Sequence, residues 1–499
     1  MLFNSYAFIF VYLPIVLAGF YAVVRMRPGV LAQVWLVAAS LYFYAYWNVS
    51  FLPLLLASIA FNYLAGRVIA RLRVTHQSLR TPALIGAVSC NLILLGYFKY
   101  AAFLQNTVAH LLSLPSLAED VPIPLGISFF TFTQIAYLVD VAYVDDVERS
   151  PISYALFVNF FPHLIAGPIL HHRATIPQFV FSFQGKSAVE NIAVGVTIFS
   201  FGLFKKVVLA DGVAPYVLLA FSDQKHPQMC DAWTGVLAYT LQIYFDFSGY
   251  SDMAIGLARM FGVIFPLNFD SPYKATSIID FWRRWHMTLS RFLRDYLYFP
   301  LGGNRSGGGQ TVNIMITMLL GGLWHGAGLT FVIWGGLHGL YLLINHQWRQ
   351  ARGQRSASVY HAALSGGLTF LSVVVAWVFF RASGIDQAST IISAMLGLRG
   401  LGSNGELICT AAGQDTCVLG VPTACYWIAA LLAIAFFAPN SQQVMWHWKP
   451  ALDDMRSVPK PSKLLSFAPT IPWAIVVGLL FAIAVVRLNE HSQFLYYQF

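Results

Sequence analysis

Charged side chains are scarce in this sequence. Of its 499 residues, 10% are Asp, Glu, Lys or Arg, whereas 58% are hydrophobic. Soluble domains carry about a quarter charged residues and roughly 45–50% apolar ones. The scarcity of charge therefore excludes a soluble enzyme, a fibrous protein and a disordered tail. Since the chain has room for roughly ten apolar spans of about 20 residues each, its composition predicts an all-α polytopic membrane protein.

Cysteine is also rare, and its spacing is not that of a metal site. No zinc-type pair such as CxxC is present, so no metal is predicted. Two cysteines share a polar loop at about 396–425, where a disulfide and two free thiols are both open alternatives. The net charge of +9 is scattered among loops, which argues against nucleic-acid binding. The cysteines are Cys90, Cys230, Cys409, Cys417 and Cys425.

Long apolar runs divide the chain into ten to thirteen predicted transmembrane or re-entrant helices. Two of these runs are unusual: one is long enough to bend, at 192–222, and one is long enough to form two helices, at 312–345. The remaining runs lie at about 7–24, 30–46, 51–66, 82–104, 123–144, 153–170, 234–264, 362–380, 424–439 and 471–487.

The charged turns near the N-terminus predict how the chain is oriented. Arg25 and Arg27 form one basic turn, and the turn between Arg67 and Arg80 forms a second, two spans later. The positive-inside rule assigns both turns to the cytoplasm and the N-terminus to the outside. Because residues 1–24 contain no basic residue, we expect a retained first helix rather than a cleaved signal.

The segment from Phe281 to Tyr296 is rich in arginine and tryptophan. At 100° per residue it sorts into an aromatic face and a basic face, which predicts one amphipathic helix. This helix could lie in the membrane interface with its arginines at the headgroups. Alternatively, His286 and the neighbouring guanidinium groups could bind a phosphate or a carboxylate. The basic face carries Arg283, Arg284, Ser290, Arg291 and Arg294.

A glycine-flanked histidine, His325, lies in a region without Asp, Glu, Lys or Arg from 306 to 348. An ionisable side chain at hydrocarbon depth is costly unless it faces a cavity or a partner, so His325 is a functional candidate. The alternative is a hydrogen bond across packed helices. His338 lies thirteen residues later and, on one continuous helix, would face elsewhere, which favours a packing role.

Other polar groups in apolar surroundings have two possible roles. Asp246 and Ser248 either form a structural polar network or line a site. The histidines at positions 163, 171 and 172 lack carboxylates at ligand spacing, so a metal is not expected there. Lys205 and Lys206, close to Asp211, are expected to pair with acids or headgroups.

Several of these segments together resemble the membrane-bound O-acyltransferase (MBOAT) superfamily, and within it the bacterial alginate O-acetyltransferase branch. The resemblance covers about residues 1–350 and becomes loose in the variable helices at 351–499. It implies one membrane-embedded domain, a ring-like helical bundle around a central tunnel. It also implies that His325 and His286 are the catalytic residues. The matching segments are LGYFKY, FPHLIAGP, YFDFSGYSDMAIG, FWRRWH, RDYLY, LGGNR, LLGGLWHGA and FLYYQF.

The resemblance also predicts a reaction. An acetyl group would pass from a cytoplasmic donor, with acetyl-CoA expected, across the bacterial inner membrane to an exopolysaccharide such as alginate or cellulose. Peptidoglycan or another cell-wall polymer is the alternative acceptor. His325 would act as general base or carry the acyl group transiently. Site-lining groups would be Arg283, Arg284, Arg291, Arg294, Asn304, Asp246 and Ser248.

No tightly bound cofactor is predicted. Expected partners are periplasmic esterase-like proteins that pass on the acetyl group, a polysaccharide synthesis complex, membrane lipid and the polymer itself. Two readings without this catalysis remain: a transporter or channel with a histidine path, and a structural scaffold for a polysaccharide synthase.

Overall fold

The structure is a computed structural model. It describes residues 1–27, 29–112, 122–144, 147–181, 186–222, 226–304, 309–352, 358–403, 407–409, 417–452, 465–488 and 495.

Helices make up most of the described chain. The first half contains α1 (Leu13–Met26), α2 (Val30–Ala45), α3 (Leu52–Thr75), α4 (Gln77–Leu111), α5 (Ile127–Tyr143), α6 (Pro151–Asn159), α7 (Phe161–Leu164), α8 (His172–Thr175), α9 (Lys186–Phe204), α10 (Asp211–Val213), α11 (Leu218–Phe221) and α12 (Met229–Met260). The second half contains α13 (Ile278–Arg284), α14 (Met287–Leu293), α15 (Gly309–His325), α16 (Leu329–Arg352), α17 (Val359–Arg381), α18 (Ile385–Met395), α19 (Gly420–Phe437), α20 (Ser441–Val444) and α21 (Ile471–Val486).

Shorter elements interrupt or join these helices. Single π-helical turns occur at Ala7–Tyr12, Lys205–Ala210 and Arg294–Tyr298. Short 3-10 turns occur at Val49–Phe51, Ile176–Val180, Ala214–Val217, Pro272–Lys274 and Trp446–Trp448. Two short strands, β1 (Leu407–Cys409) and β2 (Cys417–Leu419), pair antiparallel, and their register places the backbone of Cys409 opposite that of Cys417. The side chains of this hairpin lie outside the described residues.

Five helical segments are long and apolar enough to cross a membrane, and four shorter helices are also apolar, counted over the described residues. This confirms the multi-span helical architecture. The predicted bend in the 192–222 run is present, because α9 ends at Phe204 and a π turn follows. The 312–345 run forms two helices, α15 and α16, as predicted.

Glycine pairs bring α9 and α12 into close contact at the centre of the bundle. A Cβ atom on Gly202 would lie 2.5 Å from the carbonyl oxygen of Gly249. One on Gly195 would lie 2.6 Å from the carbonyl oxygen of Gly256. Since no side chain fits at these points, the two backbones touch, as small residues allow in membrane helices. Most of α12 is buried.

Two runs that were predicted to form single helices are divided into shorter elements in the structure, so these two predictions are wrong. The run at 153–170 is not one span, since α6 ends at Asn159, Phe160 leaves the helical conformation, and α7 is a single turn. Pro162 explains the break, because its ring removes an N–H donor and restricts the residue before it. The segment from 281 to 296 is likewise not one amphipathic helix but α13, α14 and a π turn.

Candidate active site

His325 is the last residue of α15, and Gly326 and Gly328 separate it from the start of α16. The two helices meet as a tight hairpin. A Cβ atom on Gly322 would lie 2.3 Å from the carbonyl oxygen of Phe331, and one on Gly335 would lie 2.3 Å from that of Met318. The glycines therefore allow the contact that fixes the position of the His325 turn.

His325 lines a cavity of about 120 Å³, named here the His325 cavity. The residue is 4% exposed. Although His325 is buried, the cavity leaves room for a small group beside it. The cavity reaches the surface at Trp47 and Ile123, both of which are exposed. Its wall is formed by Trp47, Lys99, Ile123, Pro124, Leu125, Gly126, Ile127, Ser128, Phe129, Ile165, Trp324 and His325.

A row of rings leads from His325 into the protein along α16. The centroid of the His325 ring lies 5.1 Å from that of Trp334, which lies 4.7 Å from His338. His338 in turn lies 5.9 Å from Tyr341, and its Nδ1 accepts a hydrogen bond of 3.2 Å from Trp282 Nε1. We call the row His325, Trp334, His338 and Tyr341 the ring partition.

The ring partition corrects the prediction that His338 faces away from His325. That prediction assumed one continuous helix through both residues. The helix instead breaks after His325, and both histidines contact Trp334. The hydrogen bond from Trp282 agrees with the packing role predicted for His338.

A second, larger cavity of about 1110 Å³ lies at the other end of the ring partition, where Tyr341 forms part of its wall. We call it the Arg283 cavity. The helix α16 connects the two cavities. From Leu329 at its start to Arg349 in the wall of the Arg283 cavity, it rises about 30 Å at 1.5 Å per residue. The wall consists of Thr276, Ser277, Ile278, Ile279, Asp280, Arg283, Tyr341, Ile344, Asn345, Trp348, Arg349, His361, Ala362, Leu364, Ser365, Leu368, Thr369 and Ser372.

The two cavities have no lining residue in common. The ring partition connects the wall of one cavity to the wall of the other, and the central tunnel implied by the family resemblance stays a prediction. Trp377 and Phe380 of α17 pack against Trp334, with ring centroids 5.8 Å and 5.2 Å away, and fill the space beside it.

His286 lies at the break between α13 and α14, with a left-handed backbone at φ 41°. It is fully buried, which corrects its predicted place at the edge of a basic helix face. Its Nδ1 lies 3.1 Å from Asn268 Oδ1. Since the same Oδ1 accepts from the Thr288 backbone N–H, this atom is the amide oxygen, and His286 Nδ1 must donate to it. The other ring nitrogen, Nε2, then carries the lone pair of the neutral imidazole.

His286 is close to His325 through Trp324. The ring centroids of His286 and Trp324 are 6.3 Å apart, and those of Trp324 and His325 are 4.9 Å apart. His286 does not belong to the wall of either cavity. The structure thus places it next to the His325 turn rather than beside the arginines.

The predicted arginine cluster does not converge on one site. Arg284 forms an ion pair of 2.9 Å with Asp280, and Arg294 forms one of 2.7 Å with Asp295. Arg291 donates to the carbonyl oxygen of Leu267. The break at His286 separates these residues onto different elements. Of the residues predicted to bind substrate, Arg283 alone lines one of the two cavities.

Asn304 is exposed and accepts a hydrogen bond from the Tyr298 hydroxyl on the turn before α15. It lines neither cavity. Its position near the start of α15, seventeen residues long, is at the opposite end of that helix from His325. Asn304 therefore lies away from both cavities, and its part in substrate binding stays a prediction.

Asp246 and Ser248 belong to the buried part of α12 and line neither cavity. Asp246 accepts from Lys206 Nζ at 2.6 Å, and Lys206 also pairs with Asp211 at 2.7 Å. Lys205 pairs with Asp252 at 2.6 Å. Asp246 is thus part of a buried network of ion pairs, and the lysines pair with acids as predicted.

No group of three or more potential metal ligands occurs in the described part of the chain. His163 Nε2 lies 2.8 Å from the carbonyl oxygen of Phe157. His172 Nδ1 lies 3.5 Å from Asp140, and His171 lies beside the Tyr296 hydroxyl. These histidines therefore serve local contacts.

Sequence reasoning missed four residues at the site: Lys99 in the His325 cavity, Arg349 and His361 in the Arg283 cavity, and Asn268 beside His286. Lys99 had a usable signal, because it is a single cation inside the apolar run at 82–104. Asn268 had none, since its contact with His286 joins residues eighteen positions apart in an irregular segment.

Comparison with known proteins assigns this arrangement to a class. The sequence profile of the membrane-bound O-acyltransferase family matches residues 30–382. The chain belongs to this family and is a membrane-embedded acyltransferase.

Individual relatives narrow the class to membrane O-acetyltransferases. The chain is 42% identical to the peptidoglycan O-acetyltransferase of Helicobacter pylori, over 80% of this chain and 81% of the relative. It is 39% identical to the probable alginate O-acetylase of Azotobacter vinelandii over 100% of both chains. A teichoic acid D-alanyltransferase of Bacillus subtilis is 26% identical over 44% of this chain and 58% of the relative.

Proposed function

We propose that this enzyme moves an acetyl group from a donor at the Arg283 cavity to an acceptor at the His325 cavity, for O-acetylation of a polysaccharide outside the cytoplasm. The observation that carries this proposal is the position of His325. It forms the wall of one cavity and begins the ring partition that leads to the other.

The donor is proposed to be acetyl-CoA, because the Arg283 cavity suits a phosphate-bearing molecule. Arg283, Arg349 and His361 are exposed in its wall. Guanidinium groups bind phosphates with charge-assisted and often bidentate hydrogen bonds. A volume of about 1110 Å³ exceeds the range of a few hundred to about 1,000 Å³ that small-molecule sites usually occupy. The cavity is thus large enough for a nucleotide-containing thioester.

His325 is proposed to act as the general base. Its imidazole would take the proton from the attacking hydroxyl while the new C–O bond forms, and would return that proton to the leaving group. Proton transfer of this kind contributes about 10²–10⁴ in rate. Transient acyl transfer to the imidazole is the second path. His286 would support the site from the other side of Trp324.

The basic turns near the N-terminus support the proposed direction of transfer. Arg25 and Arg73 lie at the ends of α1 and α3, and the positive-inside rule assigns these ends to the cytoplasm. Trp47 follows α2, one crossing later, so the same rule assigns this residue, and with it the His325 cavity, to the outer side. The donor would enter from the cytoplasm, with the enzyme in a bacterial inner membrane. Periplasmic esterase-like proteins and a polysaccharide synthesis complex would receive the acetyl group.

Two acceptors are supported by relatives. Full-length similarity to a probable alginate O-acetylase favours an exopolysaccharide such as alginate or cellulose. The relative from Helicobacter pylori favours peptidoglycan as the second candidate. Deletion of the gene, followed by measurement of ester-linked acetyl groups in each extracellular polymer, would identify the acceptor, since only its acetyl content should fall.

The role of His325 is tested by His325→Ala in cells that lack their own copy. We expect polymer acetylation to fall at least about 100-fold, because the base is removed, while the amount of protein in the membrane is unchanged. His76→Ala, which alters an exposed histidine between α3 and α4, is the matched control and should keep full activity. Normal acetylation by a His325→Ala protein would support a scaffold and overturn the proposal.

A further inference from the structure

Lys99 is a buried cation beside the candidate catalytic residue. It lies near the middle of α4 and is 9% exposed. No carboxylate forms an ion pair with it among the residues that the structure describes. A buried charge without a counter-ion is costly, so its presence at this depth calls for a role.

The Lys99 ammonium is held by the end of α15. Its Nζ donates to the carbonyl oxygens of Trp324 and, at 3.1 Å, His325. The last carbonyls of a helix lack intrahelical partners, and they carry the negative end of the helix dipole, which attracts a cation. Nζ also lies 5.7 Å from the centre of the Trp324 ring. The charge is thus fixed in one place.

A protonated lysine can donate three hydrogen bonds. Lys99 donates two of them to the carbonyl oxygens of Trp324 and His325, which leaves a third N–H. Lys99 and His325 both form the wall of the His325 cavity. A positive charge and an imidazole therefore border the same volume of about 120 Å³. That volume is small against the few hundred Å³ of a typical ligand site, but it is large enough for an acetyl group, which has about three heavy atoms.

We propose that Lys99 is a further catalytic residue, whose positive charge stabilises the acyl oxygen during transfer at His325. This inference rests on the proposed function. When the acceptor hydroxyl oxygen bonds to the acetyl carbon, its proton passes to His325 and the electron pair of the carbonyl moves onto oxygen. Lys99 compensates that negative charge. When the carbonyl re-forms, the bond between the acetyl carbon and the thioester sulfur of the donor breaks, and this sulfur takes the proton from His325 and leaves as a thiol.

The magnitude of the effect follows from comparable donors. Loss of one donor to an oxyanion lowers the catalytic rate by about 10²–10³. A residue that only ties down the end of α15 would act differently, because any hydrogen-bond donor could replace it. Tyr100 provides the comparison, since its hydroxyl donates to the carbonyl oxygen of Leu323 at 2.8 Å, one residue before Trp324. Tyr100 does not line the cavity.

The experiment uses cells that lack their own copy of the gene and express full-length variants. Cells are fed [14C]acetate, and the initial rate of ester-linked label in extracellular polymer is divided by the amount of protein in the membrane. The variants are Lys99→Gln, which keeps N–H donors without charge, Lys99→Arg, which keeps the charge, Tyr100→Phe and His325→Ala. Lys99→Ser serves as a second neutral variant.

We expect Lys99→Gln and Lys99→Ser to lower the rate by about 100-fold or more, whereas Lys99→Arg keeps at least about a tenth of the activity and Tyr100→Phe stays within about threefold of the unaltered protein. The inference is overturned if Lys99→Gln stays within threefold, if Tyr100→Phe loses as much as Lys99→Gln, or if the neutral variants lose only membrane abundance. Full activity of His325→Ala would instead overturn the proposed function itself.

Discussion

His286 lies at the bend between α13 and α14, and hydrogen bonds to one asparagine, Asn268, stabilise this bend. Asn268 Oδ1 accepts from Thr288 Oγ1 at 3.0 Å and from His286 Nδ1 at 3.1 Å, and its backbone oxygen accepts from Met287 N at 2.9 Å. These bonds compensate for the left-handed backbone of His286, which costs free energy in a residue with a Cβ atom. The asparagine thus determines both the bend and the tautomer of His286.

Removal of this side chain should therefore affect stability and activity together. In Asn268→Ala, buried donors of His286 and Thr288 lose their acceptor, at about 1–3 kcal/mol per unsatisfied group. We expect a lower unfolding temperature in detergent and at least about a tenfold loss of polymer acetylation. Asn304→Ala is the control. Because this side chain is exposed, its removal should change the free energy of unfolding by less than about 0.5 kcal/mol. Equal behaviour of the two variants would refute the role of Asn268.

At the scale of single residues, the expectation that His325 faces a cavity is confirmed, because an imidazole flanked by glycines is conspicuous in a region without Asp, Glu, Lys or Arg. It misplaced the arginines, since helical periodicity was applied across His286, where the backbone is not helical. Ion pairs such as Arg284 with Asp270, fourteen residues apart, depend on that bend and cannot be deduced from spacing.

The α15–α16 hairpin positions His325 through contacts between glycines. Gly335 has no room for a Cβ atom, which would lie 2.3 Å from the carbonyl oxygen of Met318. Gly336, the next residue, has its nearest such contact at 3.5 Å from a Leu319 methyl group. Both glycines lie in α16, so replacement by alanine changes the helix propensity equally at either position. A comparison of the two variants therefore isolates the effect of the close contact at Gly335.

We therefore expect Gly335→Ala to separate the two helices, lower the unfolding temperature and reduce polymer acetylation by at least about tenfold, since misplaced catalytic groups lose about 10²-fold per ångström. Gly336→Ala should be neutral or slightly stabilising, because alanine favours helix by about 1 kcal/mol over glycine. Thermal unfolding in detergent and acetylation in cells measure both. A Gly335→Ala protein as active and stable as the Gly336→Ala protein would contradict this account.

At the scale of elements, apolar runs located most helices to within a few residues. The run at 30–46 became Val30–Ala45, and the run at 471–487 became Ile471–Val486. The prediction of one span at 153–170 is wrong because it was based on hydropathy, which carries no information on the backbone conformations that Pro162 excludes. It underestimated α4, which extends from Gln77 to Leu111, because polar residues at both ends hide the continuation of a helix.

The arrangement of the whole molecule predicts that its two cavities are reached from opposite sides of the membrane. Ser128 lines the His325 cavity and Ser365 lines the Arg283 cavity, and both are partly buried. In a background without the native cysteines, Ser128→Cys should react with a membrane-impermeant maleimide added outside spheroplasts. Ser365→Cys should react only after the membrane is opened. Labelling of both from the same side would contradict the proposed direction of transfer.

The overall class of the molecule was predictable because its motifs are dense and its charge is sparse. The cavities were not, since each draws its wall from segments far apart in the chain. The His325 cavity joins Trp47, Lys99 and Gly126 to the end of α15. Such a wall follows from how helices pack, which depends on glycine contacts such as those of Gly322 and Gly335 rather than on hydropathy.

The ring partition has an electrical consequence. Where aqueous cavities enter a membrane protein from both sides, the voltage across the bilayer falls mainly over the dry layer that is left between them. Moving one elementary charge across 100 mV requires about 2.3 kcal/mol. The proposed reaction exchanges the acetyl group of a thioester for the proton of a hydroxyl, which moves no net charge past Trp334 and His338 and avoids this work. We therefore expect the rate of acetylation to be independent of the membrane potential.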